Sequence, residues 1–210
     1  MHTHSPSEKH IMSTSRLSTL LTSIDDINNE DPNTVKLSDG TEQAKEYIYG
    51  HHMSACLTQH WPEANEFLQI AVRAQHIKRW HILRSDFDLG KTGYFKWRKA
   101  LGKFHAELTH SLMLEQVHSD AYTEAEAEQT AAIIRKEKLK TSTDSQTLED
   151  VACLVFLQHY FDEFAAKHNE DKVVRVLQKT WVKMSDKAHN VALSLTLPDH
   201  LAKLVSKALS

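Results

Sequence analysis

Apolar side chains recur every three or four residues, without a break, through the middle of the chain. They are Tyr94, Trp97, Leu101, Phe104, Leu108 and Leu112. An α-helix places residues at this spacing on one face, so the stretch predicts a long amphipathic helix. The 210 residues include only five glycines and four prolines, which disfavours a turn-rich sandwich or barrel. We therefore predict an all-α protein.

Similar patterns divide most of the remaining chain into helices. We predict them over residues 16–27, 44–60, 62–79, 123–138, 148–167, 171–184, 185–195 and 198–209. The segments 28–40, 80–93 and 141–146 are polar or rich in turn residues and are predicted to be loops, and no β-hairpin is predicted. We expect a disordered tail over 1–13 and a single helical bundle of about seven to nine helices over 14–210.

The composition narrows the class of protein. No apolar run is long enough to span a bilayer, and the polar N-terminus lacks the apolar segment of a secretory signal. Cys56 and Cys153 fall inside apolar helical patterns, which indicates buried thiols in a reducing compartment. We therefore expect a cytoplasmic protein without a membrane partner.

Positive charge is concentrated in one segment, although the net charge of the chain is −3. Nine Lys or Arg lie between residues 73 and 103, against two acids, and five aromatic residues are interleaved with them. Such a patch attracts the phosphates of a small molecule or of RNA. The candidate phosphate ligands are Arg73, Lys78, Arg79, Arg84 and Arg98. Lys91, Lys96 and Lys99 are better explained as a solvated outer face.

Polar side chains at inward positions are the next candidates. His105 lies on the apolar face of the long helix, where it needs a hydrogen-bond partner in the core or binds a ligand. Arg73, Gln75 and His76 end another apolar helix and indicate either the wall of a polar cavity or a solvated helix end. Gln75 falls on the buried side, so its amide needs a buried partner.

Two pairs of neighbouring residues leave alternatives open. His51 and His52 point roughly 100° apart on a helix, so at most one of them can share a metal with His76 and His105. Glu149 and Asp150 enter a buried helix, where they could ligate a metal or act as acid and base. The alternative for Asp150 is a capping box in which Thr147 is the N-cap.

Two standard motifs are absent. Residues 90–92 read GKT, but the first glycine of a P-loop and its preceding strand are missing. There is neither a CxxC pair nor an HExxH sequence, so the common zinc signatures are missing too.

Three longer runs resemble a known family. They are RAQHIKRW (73–80), GYFKWRKALGKFHAEL (93–108) and TLEDVACLVFLQHYFDEFAAKH (147–168). They are similar to an uncharacterised, mainly bacterial group, the domain-of-unknown-function 4202 family, and the resemblance extends from about residue 31 to 207. It implies no established activity.

The order of elements is also distantly similar to the HD-superfamily metal-dependent phosphohydrolases. That resemblance implies an HD-like bundle around a divalent metal ion. The implied metal ligands are His52 (or His51), His76, His105 and Asp150. We predict Glu149 and Gln75 as the catalytic residues. The chain departs from the pattern because it contains no His-Asp doublet, and Gln75-His76 stands in its place.

These observations support three functional hypotheses. The first is an HD-like phosphohydrolase or a protein that binds a nucleotide or another phosphate-containing small molecule. The second is a non-catalytic module that binds RNA or nucleotide through the basic face 78–99. The third is a helical interaction protein whose histidines are all structural.

Overall fold

The computed structural model describes residues 15–115, 121–139 and 141–210. Over these ranges the chain forms ten α-helices, one more than the upper end of the predicted number, and the all-α prediction is confirmed. They are α1 (Arg16–Asn29), α2 (Lys45–His60), α3 (Glu66–Ala74), α4 (Gly90–Leu114), α5 (Glu124–Ile134), α6 (Thr143–Val155), α7 (Phe161–Ala166), α8 (Glu170–Lys183), α9 (Asp186–Ser194) and α10 (Asp199–Leu209). None of these helices is both long enough and apolar enough to cross a membrane. The tail predicted over 1–13 lies outside the described residues.

A short hairpin stands where only a loop was predicted, so the prediction of no hairpin is wrong. Strand β1 (Thr34–Lys36) pairs antiparallel with β2 (Glu42–Ala44). The turn between them uses Gly40 at φ +87°, a backbone conformation that favours glycine. Strands of three residues are too short to show the alternation by which a strand is recognised in sequence.

Capping residues set the starts of α3 and α6, and both predicted starts are wrong. Helix α3 begins after Asn65, whose side chain accepts the Leu68 backbone N–H, rather than at Pro62. Helix α6 begins after Ser142, inside the predicted loop 141–146. Thr147 therefore lies within the helix, and the predicted capping box with Asp150 does not form.

The ends of α4 and α5 also differ from the prediction. Helix α4 begins at Gly90, four residues earlier than predicted, and two 3-10 turns, Arg79–His81 and Arg84–Asp86, occupy the preceding segment. Helix α5 has the expected start, with a capping box between Thr123 and Glu126. It ends at Ile134 because the chain turns through a left-handed conformation at Lys136, φ +56°.

Helix α6 is the centre of the bundle, as its nearly all-apolar sequence predicts. It packs against α2, α3, α5, α8 and α9, and Leu148, Val151 and Leu154 are fully buried. A π-helical turn, Phe156–Tyr160, joins α6 to α7, and a smaller core forms where α7 and α8 meet α10. Cys56 and Cys153 are buried free thiols, as predicted.

Candidate functional site

A cavity of about 420 Å³ opens between α2 and α4 on one side and α6 and α8 on the other. Five basic side chains from five different elements line it, namely Lys45, Arg79, Arg98, Lys136 and Lys183. Two carboxylates, Glu46 and Glu149, also line it, so the cavity carries three uncompensated positive charges when histidine is counted as neutral. We call it the cationic cavity. Its volume lies within the range of small-molecule sites.

One wall of the cationic cavity is built on Glu46 and His76. Glu46, in the first turn of α2, lies with Oε2 3.1 Å from His76 Nδ1 and Oε1 3.8 Å from Arg79 Nε. An ionised Glu46 only accepts hydrogen bonds, so this contact assigns the imidazole proton to Nδ1 and leaves Nε2 as an acceptor, which lies 3.5 Å from Arg79 Nη1. Tyr49 stacks on the His76 ring, with centroids 4.0 Å apart, and fixes its plane.

The protonation states of this wall follow from burial and from the nearby cations. Burial lowers the pKa of His76 well below its ordinary value, and the positive charges of Arg79, Arg98, Lys136 and Lys45 lower it further. Burial raises the pKa of Glu46, while Arg79 and Lys45 oppose that rise. His76 is therefore a neutral imidazole at neutral pH.

The opposite wall holds Glu149 between two lysines. The Glu149 side chain is only 8% exposed, pairs with Lys136 through Oε2, and lies with Oε1 3.2 Å from Lys183 Nζ. Burial alone would raise the pKa of Glu149, but Lys136 and then Lys183 outweigh it and lower the pKa. Glu149 is therefore ionised, and it fixes the ammonium groups of both lysines at the cavity surface.

Uncharged groups also line the cavity. Tyr49 donates its hydroxyl to Gln75 Oε1 at 2.8 Å, which is the buried partner that the position of Gln75 requires. The Gln75 amide nitrogen has no hydrogen-bond partner in the described part of the chain. The π-helical turn after α6 brings Phe156 and Tyr160 to the cavity, and Tyr94 of α4 lines it as well.

Of the five predicted phosphate ligands, only Arg79 and Arg98 line the cationic cavity. Arg73 is held by Asp25 at 2.9 Å and Ser54 at 2.8 Å, within the helix packing. Arg84 donates to the backbone carbonyls of two residues in its own loop, and the side chain of Lys78 does not reach the cavity. The prediction grouped these five side chains only because they are close to one another in the sequence.

The four predicted metal ligands do not meet at one point. His105 lies behind His76, with ring centroids 6.0 Å apart, and its Nδ1 donates to the Ile77 carbonyl at 2.7 Å. His52 stacks on His159 at 3.7 Å, next to Tyr160, and its alternative His51 lies 3.2 Å from Asp25.

Asp150, the fourth predicted metal ligand, also lies apart from the other three. It accepts hydrogen bonds from the Ser185 backbone N–H at 2.8 Å and from Gln146 at 2.9 Å, and it lines a different cavity. Over residues 15–115, 121–139 and 141–210, no group of three or more His, Cys, Asp or Glu side chains is placed to hold a metal ion.

Sequence reasoning missed several cavity residues, chiefly Lys45, Glu46, Lys136 and Lys183. Glu46 is the only acid in α2, but an acid in the first turn is equally explained by the helix dipole, so the sequence does not indicate its burial. Lys136 lies in a basic run that is equally explained as charge at a helix C-terminus. Nothing local indicates that Lys183 belongs to the same site.

The fold and the cavity define an all-α protein with a cationic, small-molecule-sized site. A family model described as Domain of unknown function (DUF4202) matches residues 18–205. The chain belongs to this family, as the resemblance of its three runs indicated. Neither the curated proteins nor the solved structures gave a match.

Proposed function

We propose that this protein binds a small phosphate-bearing molecule in the cationic cavity. The convergence of five Lys and Arg side chains on a site with two carboxylates carries the proposal. Lys45 and Arg98 have no ion-pair partner among the residues that the structure describes, so both can engage a ligand without breaking an existing pair. Lys and Arg make charge-assisted hydrogen bonds to phosphate oxygens, and an Arg can make two at once.

The Glu46–His76 pair supports a hydrolytic form of this function. His76 Nε2 takes a proton from a water molecule, and the water oxygen then bonds to phosphorus as the bond to the leaving oxygen breaks. The proton returns from His76 to the leaving oxygen. Glu46 holds the imidazole in the required tautomer, while Arg79 and Arg98 stabilise the charge on the phosphoryl oxygens.

A bound divalent cation stays a prediction of the HD resemblance, and no step above passes through one. Only Glu46 and His76 of the cavity are paired as a carboxylate and an imidazole. Binding through Lys and Arg does not require a metal, so we expect dialysis against EDTA to leave the affinity for phosphate compounds unchanged. Metal analysis of protein purified without a His tag checks the same point. A stoichiometric metal whose removal abolishes binding would contradict the metal-free form.

Binding is tested by calorimetric titration with inorganic phosphate, pyrophosphate, adenosine 5′-phosphate and fructose 6-phosphate. We expect Arg98→Ala to weaken the tightest of these ligands about tenfold, the effect of losing one charge-assisted hydrogen bond. Lys99→Ala is the matched control, because it removes the same charge from the next position of α4 but does not line the cavity. Equal effects of both variants, or no binding of any compound, would overturn the proposal.

The hydrolytic form is tested separately with His76→Asn. Asn can keep the hydrogen bond to Glu46 but has no group in place of Nε2. We expect phosphate release from the tightest ligand to fall by about two orders of magnitude, the scale of a general-base contribution, with little change in affinity. Wild-type protein that binds without turnover would restrict the function to binding.

One observation favours RNA binding as the second candidate. Tyr94 and Phe95 are 44% and 57% exposed at the start of α4, and Lys91 lies 5.9 Å from the Phe95 ring. Exposed aromatic rings beside lysines suit stacked single-stranded bases. This function predicts single-stranded RNA binding that falls steeply with salt and is lost in Phe95→Ala but kept in Arg98→Ala.

A further inference from the structure

The cationic cavity has two charged walls rather than one. Arg79, Arg98 and Lys45 accompany Glu46 on the side of α2 and α4, which leaves two positive charges there. Lys136 and Lys183 share Glu149 on the side of α6 and α8, which leaves one. Arg79 Nε lies 3.8 Å from Glu46, whereas Lys136 and Lys183 both pair with Glu149.

The second wall is built at a conformational cost. Lys136 adopts φ +56°, a left-handed backbone that is unfavourable for a residue with a side chain. This turn ends α5 and brings the Lys136 ammonium to Glu149, which Lys183 approaches from α8.

The rest of the cavity lining is suited to an uncharged body. It includes Tyr49, Gln75 and Tyr160 together with Ala152, Cys153 and Phe156. The Gln75 amide and the tyrosine hydroxyls can hydrogen-bond to hydroxyl or ring-nitrogen groups, and the aromatic rings can pack against a sugar or a base. A lone phosphate ion would fill only a small part of 420 Å³.

We propose that the ligand carries two anionic groups at opposite ends of an uncharged body, one bound by Arg79 and Arg98 and the other by Lys136 and Lys183. The inference rests on the proposed phosphate-binding function and deepens it to a substrate class. That class comprises bisphosphates and phosphorylated carboxylic acids. A ligand with two anionic groups needs both walls for its full affinity. Each wall also binds a single anionic group when the other wall is not engaged.

The test compares alkylphosphonates with α,ω-alkane bisphosphonates of increasing chain length. The chain length that binds most tightly measures the distance between the two walls. We expect one chain length to bind at least about tenfold more tightly than its monophosphonate. Lys183→Ala should weaken the bisphosphonate of that length about tenfold and the monophosphonate by no more than about twofold, and Lys183→Gln, which keeps more of the side-chain packing, should do the same. Lys183 is 58% exposed, so neither variant removes a core contact.

Lys179→Ala is the matched control, because it removes a lysine one turn earlier in α8 that does not line the cavity. Failure of the two proposals is distinguishable. If no phosphonate binds in an Arg98-sensitive manner, phosphate binding itself is wrong, and this inference falls with it. If monophosphonates bind but a second anionic group adds nothing at any length, or if Lys183→Ala weakens both series equally, only the two-anion inference is overturned.

Discussion

His105 is a core histidine that the fold keeps neutral. It is 2% exposed, its Nδ1 donates to the Ile77 carbonyl, and its Nε2 has no hydrogen-bond partner in the described structure. Burial, followed by the field of His76, lowers the pKa of His105 to about 3. It lies behind His76, with the two ring centroids 6.0 Å apart.

This burial predicts a pH dependence of stability. The unfolded chain protonates His105 near pH 6.5 and the folded chain only near pH 3, so unfolding takes up a proton between these values. The stability that the neutral ring contributes is complete above pH 6.5 and is lost as the pH falls, by about 1.4 kcal/mol per unit. The advantage of wild type over His105→Asn should therefore shrink by about 2 kcal/mol between pH 7.5 and pH 5.

Urea unfolding of both proteins at the two pH values measures this change. His105→Asn is the suitable variant because its amide can still donate to the Ile77 carbonyl. The same substitution at the exposed His200 serves as the control. A difference between wild type and His105→Asn that is the same at both pH values would contradict the prediction.

Asp150 predicts a second residue-scale result, because its oxygens accept hydrogen bonds from both the backbone and the side chain of Ser185. These bonds tie α6 to the start of α9. We expect Asp150→Ala to lower the free energy of unfolding by about 2–4 kcal/mol, measured in urea, and to leave phosphate affinity unchanged. Asp186→Ala, a fully exposed acid of α9, should cost about 0.5 kcal/mol or less. Loss of ligand binding without loss of stability would instead make Asp150 a site residue.

At the scale of elements, the turn after α5 contains two lysines with left-handed backbones. Lys136 and Lys138 have φ +56° and +51°. The Lys136 side chain pairs with the buried Glu149, whereas Lys138 is exposed and has no side-chain partner in the described residues. The two positions therefore share the backbone cost and differ in the ion pair.

Glycine substitutions separate these two contributions. Lys138→Gly relieves the left-handed strain, so we expect the free energy of unfolding to be unchanged or raised by up to about 1 kcal/mol. Lys136→Gly gains the same relief but leaves Glu149 with Lys183 alone, and we expect a net loss of about 1–2 kcal/mol. Urea unfolding of both variants measures the difference. If Lys136→Gly is as stable as Lys138→Gly, the pair with Glu149 contributes nothing.

For the whole molecule, the periodicity of apolar residues predicts the helices but not the residues at which they begin and end. The apolar steps of α4 and α6 fix their faces, so His105 is correctly predicted to point inward and Gln75 to need a buried partner. The start of α6 was misplaced because Ser142 competes with Thr147 as a cap, and both are plausible N-cap residues in sequence.

The candidate site is less predictable because its charges come from distant parts of the chain. The basic stretch 73–103 supplies Arg79 and Arg98, but Lys45, Lys136 and Lys183 reach the cavity only through packing of α2, α6 and α8. Charge density along the sequence does not distinguish Arg98, which lines the cavity, from Arg73, which is bound to Asp25. Long-range packing of this kind leaves no local pattern.

Phosphate binding in the cationic cavity is tested most directly by a crystal structure of the protein with tungstate, a phosphate analogue that is located by its anomalous scattering. We predict a tungstate ion within hydrogen-bonding distance of Arg98 and Arg79, facing His76. Tungstate found only on the outer face beside Lys91, Lys96 and Lys99, with the cavity left to solvent, would contradict the proposed function.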